Sequence, residues 1–271
     1  MTVTVDLRDV FEAAQAYVMI GRPEKLQQLF IVQELDQSKL YSDKRVREEY
    51  EKMNRRSINQ NLSNWDKQDI KVVKICSLNC ARLKPHFEDI KADHTLKKSD
   101  IIHLQETWQE ENECQEDQLN MPNYQVNHIK VGKGKGITTY YSKTFHHVTD
   151  KVNLNYQITK YESKDVVSIN IYRSAGGSTS EILDEIKNLE NKEKANIVTG
   201  DMNICAQRER KGHLVTQLAE QGFTLLTKKA THIKGRQIDH VYTKNAEATL
   251  NRYTPYYSDH DALCVAVEKV I

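Results

Sequence analysis

Asn196-Ile197-Val198-Thr199-Gly200-Asp201-Met202-Asn203 is the stretch on which the fold turns. A short apolar and β-branched run reads as a buried strand, and it ends on a glycine followed by a carboxylate and an amide. The same arrangement recurs along the chain. A strand expected at 72–76 leads to Asn79, one at 101–104 leads to Gln105-Glu106, and one at 166–172 ends on Tyr172. Ile238-Asp239-His240 opens another at 238–242, and Ser258-Asp259-His260 precedes a last one at 264–267. Further strands are expected at 124–131, 137–141 and 148–154, with helices at 85–96, 180–192 and 212–221. Strands mixed with helices, including hairpins, favour two sheets packed together under helices over one parallel sheet, and polar groups at several strand ends can then converge on one rim.

Upstream the pattern differs. Val10, Phe11, Ala14, Tyr17 and Val18 are spaced as one apolar helix face, interrupted by Gly21-Arg22-Pro23. A short apolar segment follows at 26–32, then a charged, helix-like stretch at 36–54 and a polar linker candidate at 59–69. Two parts are expected: a helical extension and linker over 1–70 and a catalytic domain over 71–271.

Composition narrows the classes. In a chain of 271 residues charged side chains make up 28%, yet the net charge is +1, so global charge points to no partner. Five cysteines, an odd number, fit neither a disulfide framework nor paired zinc knuckles, and reduced thiols in an intracellular protein are expected. No apolar run approaches the roughly 18 residues of a membrane span, and no signal-peptide pattern opens the chain.

The recurring side chains suit phosphoester chemistry. Magnesium takes hard oxygen ligands and keeps several waters, so one or two carboxylates beside a phosphate suffice. Cleavage also needs an activated water and stabilisation of charge on the phosphoryl oxygens, which carboxylates, amides and a histidine supply. Each piece alone has a blander explanation, since Asp and Asn after strands commonly serve turns. Six such positions in order, each beside an expected strand, are specific together.

Over residues 71 to about 267 the chain resembles the endonuclease/exonuclease/phosphatase family, which includes DNase I, apurinic endonucleases and retroelement endonucleases. The resemblance rests on Ile75-Cys76-Ser77-Leu78-Asn79, Leu104-Gln105-Glu106-Thr107-Trp108, Ile171-Tyr172-Arg173, Gly200-Asp201-Met202-Asn203, Ile238-Asp239-His240 and Ser258-Asp259-His260-Asp261-Ala262-Leu263. It implies an α+β fold, a four-layered α/β/β/α sandwich of DNase I type with a mainly helical N-terminal extension. It further implies a Mg²⁺-dependent endonuclease, with Mn²⁺ able to substitute, acting on DNA.

By the same resemblance Glu106, Asn79 and Asp259 form the metal side. Asp201 orients or deprotonates the attacking water, and Asn203 donates to the phosphate. His260 donates to a phosphoryl oxygen, Asp239 fixes that histidine and keeps it charged, and Tyr172 supports the phosphate side. Arg82 and Arg173 are expected to contact substrate, with Lys84, Lys133, Lys135, Arg208, Arg210, Lys211 and Arg236 as further basic residues nearby. One departure stands out. Apurinic-site members carry an Asp two residues after the first motif Asn, and this chain has Ala81. That disfavours a dedicated repair enzyme and leaves general strand nicking untouched. A phosphatase or phosphodiesterase for a small phosphorylated molecule, and an inactive nucleic-acid-binding remnant, are the alternatives.

Thr231-His232, Gly235 and Ile238-Asp239-His240-Val241-Tyr242 resemble endonuclease domains of mobile elements. Residues 16–31, around Arg22, resemble the last conserved stretch of Pif1-like helicases, which implies other segments of a larger helicase-containing polyprotein as partners. Gly132-Lys133-Gly134-Lys135-Gly136-Ile137-Thr138 lacks the Gly-Lys-Ser/Thr ending of a P-loop, so it is expected to be a glycine-containing hairpin and no ATP-driven motor is expected. Action on chromosomal DNA would imply a nuclear location, although no clear basic localisation cluster is present.

Overall fold

The computed structural model describes residues 3–5, 29–32, 44, 48, 65, 72–110, 119–208 and 214–270. Contacts divide the chain into Met1–Arg55 and Arg56–Ile271. In the first unit β1 (Val3–Val5) pairs in parallel with β2 (Leu29–Ile31), so the apolar segment expected around 26–32 is in part a strand. The helix face built on Val10 to Val18, together with Arg22, lies outside the described residues.

In the second unit the strands form two six-stranded sheets. The first contains β3 (Val73–Asn79), β4 (Ile101–Gln105), β5 (Gln125–Ile129), β6 (Ile137–Tyr141), β13 (Ala246–Tyr253) and β14 (Ala262–Val270), in the order β13-β14-β3-β4-β6-β5. The second contains β7 (His146–Val152), β8 (Tyr156–Glu162), β9 (Val166–Arg173), β10 (Ala195–Asp201), β11 (Thr224–Leu225) and β12 (Asp239–Lys244), in the order β11-β12-β10-β9-β8-β7. Each sheet has one parallel pair, β3 with β4 and β9 with β10, and its other pairs are antiparallel. Parallel neighbours need a crossover, and helices supply it: α1 (Leu83–Ala92) and α2 (His94–Lys97) join β3 to β4, and α3 (Thr179–Leu189) joins β9 to β10. A further helix, α4 (Leu214–Glu220), lies beside α3.

One helix was expected over 85–96, and two are present. Asp93 takes an extended conformation that ends α1, and its carboxylate accepts from Thr95 N and Leu96 N to cap α2. The chain also contains strands that the sequence does not announce, β1, β8, β11 and β13. The 132–138 segment is the expected hairpin turn between antiparallel β5 and β6. Trp65, within the linker candidate, is 1% exposed and belongs to the core of the second unit. Among the described residues no helix is long and apolar enough to cross a membrane.

Side-chain alternation sorts the strands into layers. Cys76, Leu78, Ile102 and Leu104 meet Leu83, Phe87 and Ile90 of α1. Val167, Ile169, Ile171 and Val198 meet Ile182, Leu183, Ile186 and Leu189 of α3. The opposite parity, Ile75, Ile101, Val166, Ile197, Val241 and Val265, packs sheet against sheet. The second unit is therefore the four-layered α/β/β/α sandwich of DNase I type.

The layer between the sheets changes character along its length. Beyond the apolar end it holds a buried polar seam: His103 Nε2 lies 2.7 Å from Ser168 Oγ and its Nδ1 3.2 Å from Thr139 Oγ1. Gln105 Nε2 donates to Asn170 Oδ1 at 2.6 Å and to Ser77 Oγ at 3.1 Å. Burial lowers the His103 pKa from its ordinary 6.5 to about 3, because an enclosed imidazolium loses its hydration. The folded chain stays neutral at His103 between those values while the unfolded chain takes up a proton. This contribution to stability is whole above pH 6.5 and is lost as pH falls toward 3. Urea melts from pH 7 downward should show it: His103→Gln is expected to flatten the acid slope by up to about 1.4 kcal/mol per pH unit, and an unchanged slope would remove His103 as its source.

Candidate active site at the mouth of the sheets

Four parallel strands, β3, β4, β9 and β10, point their carboxyl ends at one rim, and register places the polar residues there in rows. Asn79 pairs with Gln105 across the first sheet. Asp201 lies between Tyr172 and Asp239 across the second. All five have the parity that faces the opposite sheet. The rim is closed by His260, bridged to His232.

Asp201 is the centre. It is 1% exposed. Asn79 Nδ2 donates to its Oδ2 at 2.9 Å from the other sheet, and Asn203 N donates to its Oδ1 at 2.8 Å. Gly200 lets the strand pass here: with φ 139° it approaches β9 so closely that a Cβ would sit 1.8 Å from the Ile171 carbonyl oxygen. Burial, and then the charge of Asp239, raise the Asp201 pKa to about 7, while His260 and the two donors hold it down.

Beside it His260 Nδ1 lies 2.9 and 2.8 Å from the two oxygens of Asp239. Thr231 Oγ1 donates to Asp239 Oδ2 at 2.7 Å and accepts from Asp239 N at 3.1 Å. Burial works against a charged His260, but Asp239 outweighs it and, with Asp201 and Asp259, raises the pKa to about 9. His260 is therefore an imidazolium at neutral pH, with Nε2–H left to donate. Its neighbour His232, at a ring-centroid distance of 4.7 Å, is pushed the other way by burial and by the His260 charge. Ser258 Oγ donates to Asn79 O at 2.6 Å and accepts from His260 N at 3.0 Å, tying the start of β14 to the end of β3.

On the other flank stands Glu106, in the left-handed region at φ 51°. The Tyr172 hydroxyl lies 3.3 Å from its Oε1 and 2.9 Å from Gly134 O, and Trp108 Nε1 lies 3.4 Å from its Oε2. Burial and the charges of Glu106 and Asp201 raise the Tyr172 pKa, which keeps the phenol protonated.

The expected metal residues fall in three neighbourhoods. Glu106 stands with Tyr172 and Trp108, and Asn79 stands with Asp201, its Oδ1 accepting from Ala81 N at 3.0 Å. Asp259 pairs with His232 Nε2 at 3.2 Å. Among the described residues the donor groups converging within 4.8 Å are His232 with Asp259 and His260, and Asp201 with Asp239 and His260. The carboxylates and His232 of these groups can offer donors to a divalent metal, whereas His260, while charged, has no lone pair to give. Glu106, whose two oxygens receive only long contacts among the described residues, adds an oxygen donor suited to a hard cation.

Arg173 departs from its expected role as a substrate contact. It is 7% exposed, and its guanidinium donates to Gly177 O at 2.9 and 2.5 Å and to Met202 O at 3.0 Å. With both carbonyls satisfied it fastens the loops that follow β9 and β10. Asn203 joins this scaffold, since its Nδ2 donates to Arg173 O at 2.8 Å and keeps its second hydrogen for another acceptor. Arg82 is exposed at the rim, with its guanidinium 4.3 Å from the Trp108 ring centre. Arg210 and Lys211, and the side chain of Arg208, lie outside the described residues.

Thr231, His232 and Ser258 received no role from the sequence. Thr231 and His232 were legible as part of a pattern, but nothing local ties Thr231 to a carboxylate eight residues later, and Ser258 acts through a backbone carbonyl far away in the chain.

No family model matches the chain, and no curated protein matches it. Among solved structures an AP endonuclease from Archaeoglobus fulgidus superposes with a TM-score of 0.57 at 14% identity, covering 73% of this chain and 100% of that one. The fold is the DNase I-like sandwich. The endonuclease domain of TRAS1, a telomere-specific non-LTR retrotransposon, gives 0.54 at 14% identity over 73% of this chain and 98% of that one. Truncated Caenorhabditis elegans TDP2 gives 0.54 at 14% over 73% and 98%. At these identities the DNase I-like likeness is one of fold.

Two outcomes follow for this site. In NMR titrations the His260 imidazole should titrate near pH 9, and Asp239→Asn should bring the midpoint down by more than about one unit, since the largest raising charge is gone. A midpoint unmoved by that substitution would show that another group holds the proton. Arg173→Met should cost about 2 kcal/mol or more in urea melts; undiminished stability would return Arg173 to the substrate side.

Proposed function

We propose that the chain is a metal-dependent phosphodiesterase that nicks DNA, with Mg²⁺ as the metal and Mn²⁺ able to replace it. The observation carrying this reading is the enclosed pair of Asp201, with its pKa raised to about 7, and His260, with its pKa raised to about 9. Near neutral pH one group can accept a proton while its neighbour keeps one, which suits water attack on a phosphodiester.

Asp201, steadied by Asn79 and the Asn203 amide, takes the proton of the attacking water. His260 donates through Nε2–H to a phosphoryl oxygen, and Asp239, itself fixed by Thr231, keeps the imidazolium charged and aimed. The free hydrogen of Asn203 Nδ2 serves the phosphate, and the protonated Tyr172 hydroxyl supports the Glu106 side. Glu106 would hold the metal, with Asn79 and Asp259, which stand in separate neighbourhoods of the rim, as the further donors that the motif resemblance implies; when bound, the metal would supply charge neutralisation at the phosphate and at the departing oxygen.

DNA as the substrate is supported by the motif set and by the fold shared with an AP endonuclease and a retrotransposon endonuclease. The likeness of Thr231-His232, Gly235 and Ile238-Asp239-His240-Val241-Tyr242 to mobile-element endonucleases supports a mobile-element origin, and the separate likeness of residues 16–31 to Pif1-like helicases supports a helicase-like part of a larger polyprotein.

Supercoiled plasmid tests the reading directly. Purified protein should convert it to open circles with Mg²⁺ and fail with EDTA, and Asp201→Ala or His260→Ala should slow nicking by at least about 100-fold. Folded protein that leaves the plasmid closed with Mg²⁺ and with Mn²⁺ would sink the reading in favour of a small phosphoester or of binding without cleavage.

A further inference from the structure

Next to Glu106 lies a cavity of about 330 Å³, at the small end of the roughly 300–1,000 Å³ usual for ligand pockets. Its walls are built by two loops laced together. Cys80 N donates to Gln105 O, Arg82 N to Glu106 O and Leu83 N to Thr107 O, at 3.1, 2.9 and 3.1 Å. This lacing holds Ala81 and Arg82 at φ 45° and 103° and Trp108 at φ 53°, conformations that L side chains rarely adopt. Sustained strain of this kind marks a side chain that is being presented. Here Arg82 is presented over the Trp108 ring, with its guanidinium carbon 4.3 Å from the ring centre, at the cavity wall.

The lining is built for a polar, anionic and planar guest. Exposed Arg82, Lys84 and Lys133 stand at the cavity against one carboxylate, Glu110. Two further lining residues, Thr107 and Gln109, are 1% and 3% exposed, and among the described residues Thr107 Oγ1 and Gln109 Oε1 have no hydrogen-bond partner. Both atoms are closed to solvent and Thr107 Oγ1 lies against Gly136, so Gln109 is the residue of the two whose unpaired atom a guest can draw out. The terminal torsion of Gln is soft, so a small rotation turns its amide to a guest. A guanidinium over an indole, cations for a phosphate and an amide for a base edge together match a single nucleotide.

We propose that this cavity is a subsite for one unpaired nucleobase flanking the phosphodiester to be cut. The inference rests on the DNA-cleavage reading, because Trp108 Nε1 lies 3.4 Å from Glu106 Oε2 and so ties the subsite to the catalytic mouth. The nuclease would accordingly prefer strands whose base beside the cut is unpaired.

Tryptophan fluorescence tests this with the full chain in EDTA. Trp65 is 1% exposed, which leaves Trp108 to report contact with a guest. A short single-stranded oligothymidine should quench it, and the same backbone with abasic residues should quench it far less. Arg82→Lys keeps the charge but loses the planar stacking surface; it should weaken binding of the base-bearing strand about ten-fold and leave the abasic strand nearly unchanged. Equal binding of the two strands, or an equal loss for both in Arg82→Lys, would overturn the subsite. Plasmid nicking with Mg²⁺ is read in parallel. Nicking without base-dependent quenching overturns the subsite alone, whereas base-dependent quenching without nicking supports the subsite and refutes the cleavage reading.

Discussion

Asp201 is a carboxylate shut between two β-sheets, and an enclosed carboxylate needs donors or a proton. The surrounding structure meets that need. Asn79 reaches it from the facing sheet, the Asn203 amide turns back onto it, and Gly200 lets β10 lie close enough to β9 to deliver it to the rim. Arg173 then secures the loops on either side by holding the Gly177 and Met202 carbonyls. Displacing any of these groups shifts the one that all the others orient.

Two titrating groups in contact with the same small cluster are driven to opposite tasks. Asp201 loses its hydration and faces Asp239, so it holds a proton up to about pH 7. His260 is also buried, yet the carboxylate bonded to its Nδ1 keeps it charged to about pH 9. His232 stacks edge-on to His260 and is pushed toward neutrality by it. Environment rather than residue type sets these roles, and the environment is supplied by strand register.

Much of this was legible in the sequence because strand parity leaves a mark. Asn79, Gln105, Tyr172 and Asp201 end apolar runs, and their positions along those runs place them on the face between the sheets. The mark fails where the interior is polar. In β8, Gln157 and Thr159 are buried in the seam, so its apolar pattern is broken and the strand was missed. Edge strand β13 is only half-buried along most of its length and gives little contrast to read. Asp93 is one residue of a charged stretch until its extended backbone makes it a cap. Arg173 reads as a substrate contact in the sequence because a lone arginine beside a motif does not show that neighbouring carbonyls will occupy it.

The polar seam has a further consequence for how such a molecule can change. Each sheet has its own helix-backed core, and greasy surfaces alone would tolerate sliding one sheet over the other by small steps. The His103–Ser168 and Gln105–Asn170 pairs forbid that, since a displaced amide or imidazole would be stranded without a partner. The two sheets therefore mate in discrete positions, like a key in a tumbler lock. Innovation is confined to the rim, where loops can lengthen or trade side chains while the chemistry beneath them stays in place.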